Sequence, residues 1–289
     1  MSEYGHHGPS KTRDMVSLVF SFFLALTLVI EAALLVVHVG VFTEGSMVSV
    51  LDDQYYGLVL DYVNDKAYYY TIPTGIAPAV TEDVFEIEDV HYDVDQYVLA
   101  TLRGTEYEAD TTAAEERLLQ HVDDFFTQGG VELSADTDEI AKTYVGEIMD
   151  IYRGVAKMPG LNALSNVRTR YMKYSLIGSV AVALLALVLG TTIVRLHHYP
   201  HRALRYIAYA AGGAGLMCFI VPFALYQSKW YLGLNLSPQY FYHFGTLLVA
   251  RVLHLCMLAG LGYGVLMVVL ALISSVMRQG AKARHRSHG

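Results

Sequence analysis

Four apolar stretches interrupt this chain of 289 residues, at 15–42, 174–194, 203–226 and 244–277. A hydrocarbon core of roughly 30 Å takes about 20 apolar residues in a helix, and each stretch reaches that length. The first holds Glu31 and His38 and is followed by Glu44-Gly45-Ser46. A cleavable signal peptide would have a shorter apolar region and a small-residue cleavage site, so this stretch reads as an uncleaved anchor. The expected fold is all-α: a four-helix transmembrane bundle with an extracytoplasmic helical domain, 43–171, between spans one and two. A 54% hydrophobic composition suits that plan, one soluble module on a small membrane protein.

Basic residues give the expected orientation. Lys11 and Arg13 sit in the tail 1–14 before span one. Arg195, Arg202 and Arg205 lie around the loop 195–202, and Arg278, Lys282, Arg284 and Arg286 form the tail 278–289. The positive-inside rule puts all three on the cytoplasmic side of a cell membrane, with both termini cytoplasmic. The large block and the loop 227–243 then face outward.

Charge divides the same way. Residues 44–170 hold 25 Asp and Glu against 8 Lys and Arg, a net −17, while the remainder is net +9. A block this acidic repels nucleic acid and anionic headgroups, and favours cationic peptides, basic proteins or divalent ions. The two cysteines, Cys218 and Cys256, both fall inside spans. The block therefore has no disulfide, no zinc-thiolate site and no thiol nucleophile, which favours a bacterial source.

Within the block, helical spacing of Val50, Leu51, Tyr55, Leu58, Tyr62 and Tyr69 predicts a helix over 47–71, continuous with span one. Pro73 and Gly75 break it. A short helix from Thr81 to Ile87, a longer one over 89–102 ending near Gly104, and two capping boxes, Thr112 to Glu115 and Asp136 to Glu139, follow. The second of these opens a helix to about Ala156, and Pro159-Gly160 precedes the run into span two. Apolar stripes are expected at Val94, Tyr97, Val98; at Leu118, Leu119, Val122, Phe125, Phe126; and at Ile140, Tyr144, Ile148, Ile151.

Candidate functional residues fall into three sets. A charge inside a membrane span is costly and tends to be paired. Glu31 and His38 on span one overlap in depth with Arg251 and His254 on span four, so Glu31 is expected to pair with Arg251 or His254, with the two spans adjacent. The tyrosines Tyr55, Tyr56, Tyr62, Tyr68, Tyr69 and Tyr70 form a candidate outward binding surface, since tyrosine is a large rigid side chain with a polar tip. Tyr226, Trp230, Tyr231, Tyr240, Phe241 and Tyr242 read as an interfacial aromatic belt.

Weaker signals also occur. His91 lies in the acidic run from Glu86 to Asp95, which lacks the spacing of a calcium loop. The His197-His198 pair with His201 has little metal-site character beside so many arginines. Ser165, Ser237 and Tyr240 lie near His243 without any recognised nucleophile pattern. No metal site or cofactor is expected.

The pattern Tyr55-Tyr56, Ile72-Pro-Thr-Gly-Ile76, Val90 through Tyr97-Val98 and Leu102-Arg-Gly104, followed by three spans, resembles a group of Gram-positive bacterial membrane proteins. The resemblance implies one span, an outward helical domain and three further spans, and no activity. The layout is similar to that of ABC-type permease subunits but departs from them in its short inner loop.

The expected function is a non-enzymatic membrane protein whose outward domain binds a protein or ligand, as a sensor, adaptor or accessory subunit. Its partners would be the lipid bilayer and a membrane or extracellular protein, and homo-oligomerisation stays open. Two alternatives are an interfacial enzyme acting on lipid through His38, His243 or His254, and a small transporter subunit using Glu31 and Arg251.

Overall fold

A computed structural model describes residues 11–129, 135–197 and 199–286. Gly130 and His198 lie outside these residues, as do the side chains of Lys11, Asp136, Lys282, Arg284 and Arg286. The helices are α1 (Lys11–Gly40), α2 (Glu44–Val48), α3 (Asp53–Thr71), α4 (Ile87–Arg103), α5 (Thr112–Gln128), α6 (Ala135–Ala156), α7 (Leu161–Leu196), α8 (Pro200–Ser228) and α9 (Gln239–Arg286). No strand occurs among the described residues. Four helices, α1, α7, α8 and α9, contain stretches long and apolar enough to cross a membrane. The chain divides into two compact units. One holds the residues up to Phe42, Tyr171–Gly233 and those from Val249 onward; the other holds Thr43–Arg170 and Leu234–Leu248.

In the first unit, Leu176, Leu184, Leu187, Leu258, Val265 and Val276 stand more than half exposed. A soluble protein rarely exposes an apolar surface of this extent, whereas hydrocarbon solvates it. The interior is built from smaller contacts: Leu24 and Ala25 of α1, Ile193 of α7, and Ala203 and Ala210 of α8. Lipid supplies no hydrogen-bond partners, so hydroxyls inside such a unit join helix to helix. Ser21 donates to the Tyr206 carbonyl at 2.7 Å, Tyr171 to the Leu34 carbonyl at 2.7 Å, and Tyr263 to the Leu28 carbonyl at 3.0 Å. Helices α8 and α9 meet at Gly215 and Gly260. A Cβ on Gly260 would stand 2.9 Å from the Gly215 carbonyl oxygen and 2.8 Å from the Phe219 nitrogen, so only glycine permits this approach.

The second unit has one core, drawn from α3 (Tyr55, Tyr56, Val59, Val63, Ala67), α4 (Val90, Val94, Val98), α5 (Leu118, Val122) and α6 (Val145, Ile148, Met149, Tyr152). Each contribution follows a helical period, as an amphipathic face requires. Gly75, Gly104 and Gly160 hold φ near +75° to +79° at three of the chain reversals, where a side chain would be strained.

Several local expectations are corrected. No single helix runs from span one to Thr71. Helix α1 ends at Gly40, and Asp52 starts α3 by accepting the Tyr55 amide at 2.8 Å, a side-chain cap that opens a new helix. Thr81 ends a 3-10 turn, Pro78–Thr81, instead of opening a helix, because its hydroxyl turns back to the Pro78 carbonyl. Helix α5 is preceded by Asp110, whose carboxylate accepts both the amide and the hydroxyl of Thr112, so the expected Thr112 box does not form. On α6 the expected stripe holds at Tyr144 and Ile148, which are buried, but Ile140 is 58% exposed, and Ala141, Val145 and Met149 widen the buried face instead. Helix α9 starts at Gln239, and its first residues, Tyr240 and Phe244, belong to the core of the second unit.

Candidate ligand-binding cleft

Helices α3 and α4 pack through Val59, Val63, Val90 and Val94, and toward the start of both helices they leave a cleft of about 560 Å³. Its walls carry Asp53 and Tyr56 from α3, and Glu88, His91, Tyr92 and Asp95 from α4. Glu88 stands in the first turn of α4, where a carboxylate complements the helix dipole. His91, Tyr92 and Asp95 follow at spacings that set His91 and Asp95 one turn apart on the same face.

Tyr56 fixes the cleft floor. Its hydroxyl donates to Asp95 Oδ1 at 2.6 Å, and its ring stacks on His91 at 4.0 Å between centroids. Burial, then the adjoining Asp95 carboxylate, pushes the Tyr56 hydroxyl far above the ordinary phenol range, so it remains a donor at any physiological pH. The second Asp95 oxygen lies 3.6 Å from His91 Nδ1. No lysine or arginine lines the cleft, and Tyr92 stands exposed at its edge. Its chemistry is therefore three carboxylates and aromatic faces around a concave surface, which suits an ammonium or guanidinium group.

Beside the cleft, Arg117 of α5 reaches Glu86 and Asp89, the latter at 2.9 Å. Even so, burial first, and then Asp93 and Glu88, hold the Asp89 carboxyl above the usual carboxylate range. Negative charge is crowded here beyond what Arg117 neutralises. Among the described residues, no three His, Cys, Asp or Glu side chains converge as metal ligands.

The sequence-derived sets separate in space. Among the tyrosines, Tyr55 and Tyr56 are 1% and 2% exposed and pack the core, with only the Tyr56 face reaching the cleft. Tyr62 lies half-buried against Tyr240 at 5.4 Å, whereas Tyr68, Tyr69 and Tyr70 are exposed. Tyr70 lines a separate groove with Phe125, Phe126 and Ile140. The expected single tyrosine surface is therefore three environments.

The intramembrane set does not assemble. Glu31 Oε1 accepts from the Ser179 hydroxyl of α7, and Oε2 is buried without a hydrogen-bond partner. Among the described residues no ion pair joins Glu31 to Arg251 or His254; His254 rests against the Tyr226 ring at 4.7 Å. His38 is half-buried on α1. The expected adjacency of spans one and four does occur: Leu255 of α9 fills the space above Gly40, and Tyr263 bonds to the Leu28 carbonyl.

The aromatic belt also divides. In the membrane unit, Tyr226 stacks on Tyr231 and Trp230 stands half exposed beside it. Tyr240, by contrast, is 3% exposed in the core of the second unit, against Tyr55. Phe241 packs on Phe244 of the same unit, and Tyr242 is half-buried.

Sequence reasoning missed a polar pair and a polar triad. His243 Nε2 lies 2.9 Å from Asp52 Oδ1, the oxygen that also caps α3. This ties the first turn of α9 to the start of α3. Ser165 donates to the Thr101 carbonyl. The triad centres on Asp93, buried on α4, which accepts from Tyr107 at 2.7 Å and Tyr152 at 2.5 Å. Asp93 follows Val90 by three residues and precedes Tyr97 by four. That is the period of the buried face and was the available signal.

No protein-family model matches this chain, and neither does any curated protein or solved structure.

Proposed function

We propose that this is a plasma-membrane protein with cytoplasmic termini, whose acidic helical unit lies outside the cell and binds a cationic protein or peptide in the α3–α4 cleft. The orientation is supported by the basic residues at both tails and in the loop before α8. The cleft carries the reading: Asp53, Glu88 and Asp95 surround Tyr56 and Tyr92, with no lysine or arginine among the lining residues. A lysine or arginine side chain entering it would meet carboxylates at its head and aromatic faces along its stem. The protein would act as a sensor or accessory subunit and pass its bound state to another membrane protein.

The test is a titration of the intact protein in nanodiscs with a fluorescent oligolysine peptide. Saturable, salt-sensitive binding is expected. Asp53→Asn combined with Glu88→Gln should weaken it by roughly ten-fold. Asp123→Asn combined with Asp124→Asn, an equal charge change at exposed positions on α5, should leave it nearly unchanged. Equal weakening by both pairs would show diffuse attraction to an acidic surface and would defeat the assignment.

A further inference from the structure

We infer that the α8–α9 face of the membrane unit binds one anionic glycerophospholipid, with its phosphate in a basic pocket and one acyl chain in a glycine-floored groove leading from it. The pocket, about 490 Å³, is lined by His201, Arg205 and Tyr209 of α8 and by Ser274, Arg278 and Gln279 of α9. Ser274 donates to the His201 carbonyl at 2.8 Å and so holds the two walls together. Arg205 and Arg278 approach from different helices, and among the described residues neither forms an ion pair. Asp14 lies in an adjoining cleft with Arg202 and Arg205, beside the Tyr206 hydroxyl. Three arginines against one aspartate leave a net positive end. Guanidinium groups pair with phosphate in bidentate fashion.

Tyr209 lines both this pocket and an apolar groove of about 870 Å³ that continues along α8 and α9. Gly212, Gly215, Gly260 and Gly264 are among its lining residues, and the position of a Cβ on Gly264 is open space. From Tyr209 to Phe219 the groove follows ten residues of α8, roughly 15 Å at the helical rise. That is about half of a 30 Å hydrocarbon core, the depth of one leaflet. Headgroup pocket and chain groove are thus contiguous and correctly proportioned for one lipid. A second copy of the chain fits less well. Inserted in the same direction, it would bring its own Arg205 and Arg278 level with these, and like charges at one depth repel. An anionic lipid brings the opposite charge to the same place.

The test is native mass spectrometry of the intact protein with phosphatidylglycerol and phosphatidylcholine supplied at equal concentration. One phosphatidylglycerol per chain should be retained with a preference of roughly ten-fold. Arg205→Gln combined with Arg278→Gln should abolish the preference, while Arg195→Gln, exposed on α7 and outside the pocket, should preserve it. Gly264→Leu should displace the lipid by filling the groove, and inorganic phosphate alone should compete weakly. Equal retention of both lipids by the unaltered protein would mean an annular lipid only. Full displacement by phosphate, with Gly264→Leu silent, would mean a phosphate site only. A dimer dissolved by Gly264→Leu would assign the groove to a second copy. Each of these three results overturns the inference.

Discussion

Tyr152 on α6 donates its hydroxyl to Asp93 on α4 across 2.5 Å, and Asp93 is 3% exposed. With Tyr107 donating to the other carboxylate oxygen, Asp93 joins two tyrosines in a buried polar link. Hydrogen bonds to a charged partner contribute about 1.5–3 kcal/mol, and removing the acceptor leaves two hydroxyls unpaired. Asp93→Ala should therefore destabilise the second unit by at least about 3 kcal/mol, and Tyr152→Phe by about 2 kcal/mol. Denaturant unfolding of the intact protein, followed by tyrosine fluorescence, checks both. Equal stability of Asp93→Ala and the parent would rule the link out.

The same tyrosines set an alkaline limit. Burial first, and then Asp93, raises the Tyr152 hydroxyl far above its ordinary value, and Tyr107 responds in the same direction. A group with a raised folded-state pKa stabilises fully below its unfolded value, about 10 for tyrosine, and loses that contribution as pH rises. Stability should be level up to about pH 10 and then fall, each such tyrosine adding a slope of about 1.4 kcal/mol per pH unit. Tyr152→Phe should show a shallower fall. A pH-independent profile through pH 11 would contradict the assignment.

Glu31 gives a test inside the bundle. Ser179 is its hydrogen-bond partner, and its other oxygen has none. A double-mutant cycle between Glu31→Gln and Ser179→Ala should show coupling of about 0.6–1.7 kcal/mol, the range for intramembrane hydrogen bonds. The cycle between Glu31→Gln and Arg251→Gln should stay within about 0.5 kcal/mol of additivity. A larger second value would restore the pairing expected from depth alone.

Two glycines on α9 should respond with opposite signs. Gly260→Ala drives a methyl against the α8 backbone at Phe219 and Gly215, and overpacking of this kind costs about 1–3 kcal/mol. Gly264→Ala meets open space, and replacing glycine in a helix interior gains about 0.5–1 kcal/mol. Thermal melts in one detergent compare them. Equal melting temperatures would mean that the two helices do not touch at Gly215.

What the sequence disclosed followed from local physics. Span length and apolarity are properties of single segments, so α1, α7, α8 and α9 were legible. The turns at Gly75, Gly104 and Gly160 were marked by residues that tolerate positive φ. What stayed hidden depended on contacts between distant segments. Tyr240 follows a polar loop and precedes a span, so it reads as an interfacial aromatic. Its place against Tyr55 is set by the packing of α9 onto α3. Depth alone matches Glu31 to a cation, but depth does not say which neighbour a side chain faces, and Ser179 of α7 carries no charge to announce itself. The α3–α4 cleft is likewise a product of two helix starts meeting; its His91 and Asp95 were visible as an acidic run, its Tyr56 wall was not.

The proposed orientation puts the acidic unit and the basic ends on opposite sides of a membrane. Single-cysteine variants in a Cys218→Ala, Cys256→Ala background test it directly, with a membrane-impermeant maleimide applied to intact cells. Tyr69, 68% exposed on α3, and Arg195, exposed on α7, are the reporting positions. Tyr69→Cys should label in intact cells, and Arg195→Cys only after permeabilisation. Labelling of Arg195→Cys in intact cells with Tyr69→Cys protected would contradict the account.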